Sequence, residues 1–452
     1  AGGGNQTIVI TGTNFSSGSV ASFVGSSASF NASTTTIDNP TQITAVAPKS
    51  SFLNAQEPYS VKVTSTSGLA GTSATGLINV DNAPTWNTSS GSLGSIAMGT
   101  SGTHATVSAT DPDGDTIAYT VQSGSLPTGT SLNSSTGVIS GTISGSASTF
   151  SFTLRATADT KTSDRAFTIT TTIPSGIQQL SGSGTWSIPT GVTSAEILIV
   201  AGGGSGGRSP NVVGGGGGAG GIVYKSSYTF TSTDISSGIA YSIGAGGIGV
   251  GMNSVTDGVH GGTEAAGNNG VDTTFAISGG TITAKGGGTS GGYDASSYRV
   301  ARSGGSGGGG THNDYNGYSS NQGTFSGWTS YGRAGGDGTS QGSGGGGGGA
   351  GGVGSNGSNR DGGNGGVGVL FSNFTSYGAS GYFGGGGGGG GETSGGSAQH
   401  GGGAGVQPTN TSGGDATATT GGGGGGTGTP TAYNTFTFKG GNGGSGTILI
   451  KY

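Results

Sequence analysis

The chain has 452 residues, 29% hydrophobic and only 7% charged, with 14 Lys+Arg against 19 Asp+Glu and a sequence pI near 5.2. This balance gives no basic footprint for nucleic acid or an anionic membrane, and no run approaches the roughly 20 apolar residues that span a bilayer. Cysteine is absent, which excludes disulfides, thiolate catalysis and cysteine metal sites together.

The length suggests about three domains, and the abundance of Gly, Ser, Thr and Asn favours short strands and turns over helices. Thr7-Ile8-Val9-Ile10-Thr11 alternates with period two and meets the turn cluster Gly12-Thr13-Asn14-Phe15. Further strand-sized runs follow at Val20 to Val24, Ile43 to Ala47, Tyr59 to Thr64 and Leu77 to Val80, which predicts a small β-sandwich. With Phe23-Val24-Gly25, Ile43-Thr44-Ala45-Val46-Ala47-Pro48 and Tyr59-Ser60-Val61-Lys62-Val63, residues 1–80 resemble the IPT/TIG family of Ig-like domains. Members of that family carry one more strand ahead of the glycines that stand here as Gly2-Gly3-Gly4, so the resemblance implies a polypeptide that continues upstream of Ala1.

A second module is expected over residues 81–175, with closing strands at Phe150 to Ala156 and Ala166 to Thr172. Its markers are Asp111-Pro112-Asp113-Gly114-Asp115, Leu126-Pro127-Thr128-Gly129 and Ser135-Thr136-Gly137-Val138-Ile139-Ser140-Gly141-Thr142. In that order they resemble a cadherin-like Ig-domain family of bacterial and phage surface proteins. Three carboxylates in five residues suit a hard cation with oxygen ligands. The resemblance implies calcium at a module boundary, with Asp81 and Asn82 beside Asp111, Asp113 and Asp115; the alternative is an acidic turn without metal. An EF-hand is excluded because no bidentate Glu occupies the twelfth position.

Beyond Gly176 the composition changes: 92 of the 112 glycines lie in the last 276 residues, one residue in three. Collagen is excluded, since Gly214 to Gly218, Gly344 to Gly349 and Gly384 to Gly391 run without interruption. A flexible linker is disfavoured by two apolar strands, Glu196-Ile197-Leu198-Ile199-Val200 and Thr447-Ile448-Leu449-Ile450-Lys451-Tyr452, which find no partner nearby and are expected to pair with each other. Trp186-Ser187-Ile188-Pro189, Tyr241-Ser242-Ile243-Gly244-Ala245-Gly246-Gly247 and the repeated glycine blocks make residues 176–452 similar to the glycine-rich domain of phage tail and fibre adhesins. That resemblance implies packed polyglycine II helices. Such helices lack internal hydrogen bonds, so the backbone must pair with neighbouring helices, and only glycine allows the approach. The expected fold class is therefore all-β, with two Ig-like sandwiches followed by a glycine-rich domain holding a small sheet and packed polyglycine II helices.

Aromatic and basic residues between the glycine blocks are the candidate receptor contacts: Tyr293, Tyr298, Arg299, His312, Asp314, Tyr315, Tyr318, Trp328, Tyr331, Arg333, Tyr377 and Tyr382. Tyr, Trp and Arg among Ser, Gly and Asn is the composition of adaptable recognition loops, and rings also stack on sugars. The competing expectation is that these rings merely cap exposed edges of the glycine stack. GxGxxG strings carry no nucleotide-binding information in such a composition. The four histidines, His104, His260, His312 and His400, show no metal spacing, and no local signature favours catalysis.

The expected function is a non-enzymatic virion fibre or tail-associated protein that attaches to a host surface. Its partners would be a host cell-surface glycan or outer-surface protein, with other virion proteins or copies of itself, and neither nucleic acid nor membrane insertion. A capsid decoration or head-fibre protein, or a bacterial surface adhesin, is the alternative.

Overall fold

The computed structural model describes residues 4–74, 76–78, 81–208, 213–249, 267–291, 301–311, 316–408, 412–428 and 439–452. The chain divides into two compact units, residues 1–173 and 174–452. It is all-β apart from short helical turns and, among the described residues, one α-helix, Ser232–Ser237.

The first unit begins with two facing sheets. Asn5–Thr11, Gln42–Pro48 and Thr34–Asn39 form one, and Ser29–Asn31, Val20–Val24, Ser60–Thr64 and Ala70–Thr72 form the other. Alternation along the strands sends Ala21, Phe23, Ala45, Ala47 and Val61 inward onto Phe52 and Tyr59. The strands Ser29–Asn31, Thr34–Asn39 and Ala70–Thr72 were not legible in the sequence, being short and mostly polar. In the second module, Thr149–Ala158 and Lys161–Thr172 form a long hairpin flanked by Ile117–Gly124 and Gly91–Ala97. Trp86 is its central anchor. It packs on Tyr119 and Phe167, and its indole N–H donates to the Ser163 carbonyl at 3.1 Å.

The glycine-rich unit is organised by a five-stranded sheet in the order Ile177–Leu180, Thr447–Lys451, Ser194–Val200, Ile222–Thr229, Thr329–Tyr331. The first long apolar strand and the last pair antiparallel as expected, with Ile197 opposite Ile450 and Ile199 opposite Ile448. Both strands read as continuous apolar runs because both faces of the sheet are covered. Ile197, Ile199, Ile448 and Ile450 face a second sheet, formed by Ser183–Trp186, Ile239–Ser242, Thr273–Ile277 and Gly280–Ala284, across a core with Trp186, Phe230 and Phe275. Leu198, Val200 and Leu449 face the other way, onto Phe371, Phe374 and Phe383.

Glycine helices continue from the ends of these strands and pair with a period of three. Gly202 and Ser205 donate to Val271 and Asn268, Gly203 and Gly206 to Gly444 and Gly441, and Gly204 and Gly207 to Gly218 and Gly215, at 2.8–3.1 Å. Successive amides thus point to three different neighbours, as three residues per turn requires, while the partner numbering falls by three as the donor numbering rises by three. This is polyglycine II packing of antiparallel helices.

Candidate functional site

The lattice places the described segments that join its helices. The helix at residues 213–221 donates to three neighbours, at residues 421–427, 345–348 and 285–288, and accepts from three others, at 204–207, 306–309 and 387–390. Six partners amount to hexagonal packing. The same holds for the helices at 344–349, 384–391 and 421–426, so the four uninterrupted glycine runs form the interior. A Cβ on an interior glycine such as Gly216, Gly347 or Gly387 would strike a neighbouring backbone carbonyl. Peripheral helices carry a side chain at every third residue, in the series Asp361, Asn364, Val367 and Lys439, Asn442, Ser445, with glycine between. That Gly-Gly-X spacing was visible in the sequence and marks the periphery, as a three-residue turn returns every third side chain to the outward face.

The lattice has two distinct ends. At the sheet end, Val200 leads into Gly202, Gly221 into Ile222, Tyr331 into Gly332, Phe383 into Gly384 and Gly446 into Thr447. The turns at 339–343, 358–361 and 391–394 lie at the outer end and are tied together. Arg360 Nε donates to Glu392 Oε2 at 2.7 Å, the Thr393 amide to the Arg360 carbonyl at 3.0 Å, and Ser394 Oγ to Asp361 Oδ1 at 2.7 Å.

The candidate recognition residues that are described do not gather in one patch. Tyr293, Tyr298, Arg299, His312, Asp314 and Tyr315 lie outside the described residues; the described chain stops before them at Gly291 and Thr311, both at the outer end. Trp328, Tyr331, Tyr377 and Tyr382 sit at the sheet end. Trp328 packs on Tyr228 with ring centroids 5.7 Å apart, Tyr331 meets Phe371 edge-on at 6.0 Å, and Tyr377 lies against the same cluster. Tyr382 stacks flat on His400 at 3.9 Å. Rings near a strand end gain more from an apolar cluster than from solvent, which draws them to the sheet. Tyr318 and Arg333 remain exposed on two adjacent segments, both bonded through their backbones to the helix at residues 304–311.

His400 stands in a tight turn with φ 40°, and its Nδ1 accepts the Gly368 amide proton at 3.1 Å. Burial lowers its pKa, which keeps the ring neutral and able to accept. Asp234, 3% exposed, closes the capping box of the helix Ser232–Ser237 and also accepts from Tyr228 Oη and the Ser278 amide, a Thr-Ser-Thr-Asp signal that sequence reading passed over. The Tyr228 hydroxyl is pushed up to about 12 by burial and by its hydrogen bond to Asp234.

In the first unit, the acidic turn is tied to the start of its module. Asp113 Oδ2 accepts the Asn82 amide proton at 2.7 Å, and Asp81 Oδ2 accepts from Thr160 Oγ1 at 3.0 Å and pairs with Lys161 Nζ at 3.5 Å. Asp111 is 6% exposed. Its Oδ1 accepts the Asp113 amide proton at 2.9 Å, while Oδ2 is buried without a hydrogen-bond partner. The pKa of Asp115 is raised by partial loss of hydration and by Asp111, Asp159, Asp113 and Asp81 around it. Among the described residues, no three acidic or histidine side chains converge on one point, so the turn is not a preformed metal cage. The unpartnered Asp111 oxygen and the surrounding negative charge are nevertheless the chemistry that a hard cation would relieve.

A family model described as "Glycine-rich domain" matches residues 178–452, and one described as "Putative Ig domain" matches residues 88–173. No curated protein matches the chain. Among solved structures, the protocadherin GammaB4 extracellular domain is 15% identical, with a TM-score of 0.21, covering 39% of this chain and 29% of that one. Human protocadherin-24 EC1-2 is 15% identical, with a TM-score of 0.23, covering 34% of this chain and 82% of that one. The tandem Ig repeats of Dlar are 12% identical, with a TM-score of 0.17, covering 38% of this chain and 91% of that one. The chain therefore spans less than a third of the length of the first of these structures.

Proposed function

The chain belongs to the glycine-rich domain family, and from that membership we propose that it is a non-enzymatic, extracellular attachment protein of a virion fibre or tail. In this reading the Ig-like modules, the first of IPT/TIG type, act as spacers, and the outer end of the glycine lattice contacts a cell-surface glycan or protein. The carrying observation is the hexagonal lattice itself. Backbone packed on six sides resists deformation and leaves little room for a catalytic cleft, while Gly291 and Thr311, each followed in the sequence by a Tyr-containing polar stretch, lie at its outer end.

Cell-binding measurements with the purified chain test the reading. Tyr298→Ala or Tyr315→Ala should weaken binding to susceptible cells by about tenfold, the effect of losing a modest interface anchor, with the melting temperature unchanged. Trp328→Ala, which removes a packed ring, should lower the melting temperature instead. Unchanged binding in both tyrosine variants would overturn attachment through these residues and favour a capsid decoration role.

Calcium at the acidic turn is a separate proposal. Its support is the buried, unpartnered Oδ2 of Asp111, with Asp113, Asp115, Asp81 and the Asn82 side chain within the same cluster. Bound there, the ion would supply charge neutralisation and hold the entry of the module onto its turn.

A further inference from the structure

Five Asn-Gly dipeptides lie in the glycine-rich unit, at Asn269, Asn316, Asn356, Asn364 and Asn442. Each carries the same latent chemistry. The glycine nitrogen can attack Cγ of the preceding Asn, forming an N–Cγ bond as Nδ2 leaves with the amide proton as ammonia. Water then opens the succinimide ring to Asp or isoaspartate. The small glycine makes the attack easy wherever the backbone can turn its nitrogen back on the side chain.

Four of the five are held apart from that geometry by one repeated contact. Asn356 Oδ1 accepts the Asp337 amide proton at 2.8 Å, while the Gly357 amide donates to the Asp337 carbonyl at 2.9 Å. Asn364 and Gly365 grip Ser397 in the same way, at 2.8 and 3.0 Å. Asn442 Oδ1 takes the Gly249 amide proton at 2.9 Å as Gly443 donates to Gly247, and Asn269 Oδ1 takes that of Thr289 at 2.9 Å as Gly270 donates to Gly287. In each clamp the attacking nitrogen and the side-chain carbonyl are both committed to the neighbouring helix. Ring closure would have to release both and pull the chain off its three-residue register.

Asn316 is different. It is exposed, and its side chain makes no hydrogen bond to a described residue. The Gly317 amide donates to Asp337 Oδ1 at 2.8 Å, so the nitrogen keeps one lattice partner, but the side-chain carbonyl that every clamp engages is held by no described residue. We infer that Asn316 is the protein's native site of spontaneous deamidation and that the lattice clamps protect the other four. Asp tolerates the clamp role, since Asp415 Oδ1 accepts the Asn442 amide proton at 2.7 Å while Ala416 donates to Asn442 at 2.9 Å. Isoaspartate would add a backbone atom and break the register, so protection at the four matters for the lattice.

Peptide mapping of Asp and isoaspartate tests this, with the full chain incubated at mildly alkaline pH either folded or unfolded in urea. In the folded chain, Asn316 should convert roughly tenfold or more faster than Asn269, Asn356, Asn364 or Asn442, each of which must first lose two hydrogen bonds. In urea all five should convert at similar rates. The inference is overturned if any of the four matches Asn316 in the folded chain, or if the four stay slow in urea. Asn316→Gln should abolish the folded-state modification without moving the melting temperature; persistence of the modification elsewhere in the folded variant would equally overturn it.

Discussion

A Cβ on Gly347 would occupy the space of the Gly217 carbonyl oxygen, because the helix of Gly217 donates its amides to the helix of Gly347 at backbone contact distance. Gly347→Ala must therefore push two interior helices apart. The expected loss is about 3 kcal/mol, at the upper end of overpacking costs. Gly323→Ala, where nothing lies within 4 Å of the added methyl, should stay within about 0.5 kcal/mol of the parent. Chemical denaturation of both variants checks the pair, and equal losses would contradict hexagonal packing.

The last strand lies between Ile177–Leu180 and Ser194–Val200, so removing it divides the five-stranded sheet. Deletion of Thr447–Lys451 should abolish cooperative unfolding of the glycine-rich unit, seen as loss of protease resistance beyond residue 176. Ile450→Ala, at a fully buried site facing the core with Trp186, should cost about 2–5 kcal/mol without changing the fold.

His400 sets a pH dependence. Its pKa in the folded chain is lowered, so the unfolded chain takes up a proton first as pH falls. The stabilisation is complete above the unfolded value near 6.5 and is lost as pH falls through the folded value, when Nδ1 can no longer accept the Gly368 amide proton. The ring faces Tyr382 and the Gly368 amide. Melting temperature should therefore decline from pH 7.5 to pH 5. His400→Asn, which tolerates the positive φ and cannot titrate, should flatten the decline. An unchanged slope in that variant would remove His400 as the cause.

Calcium should raise the melting temperature of residues 1–173 relative to chelator. At one hundred times the dissociation constant, the gain would be about 2.7 kcal/mol. Asp111→Asn keeps an oxygen for the Asp113 amide but removes the unpartnered charge, and should erase the gain. A calcium-independent melt would leave a plain acidic turn.

The pairing of the first and last apolar strands was legible in the sequence, because two fully apolar strands among glycine have no other place to bury both faces. The glycine runs were legible as interior helices for a similar reason: a backbone enclosed on six sides admits no Cβ. Which run neighbours which was not legible. Every polyglycine helix offers the same donors and acceptors at the same spacing, so the sequences of Gly214–Gly218, Gly344–Gly349 and Gly384–Gly391 carry no pairing code. The strand order and the lengths of the connections decide it. The fate of the aromatic rings was decided at the same level: Trp328, Tyr331 and Tyr377 resemble Tyr318 in composition and setting, but only the tertiary arrangement brings the first three beside apolar clusters and leaves the fourth at the surface.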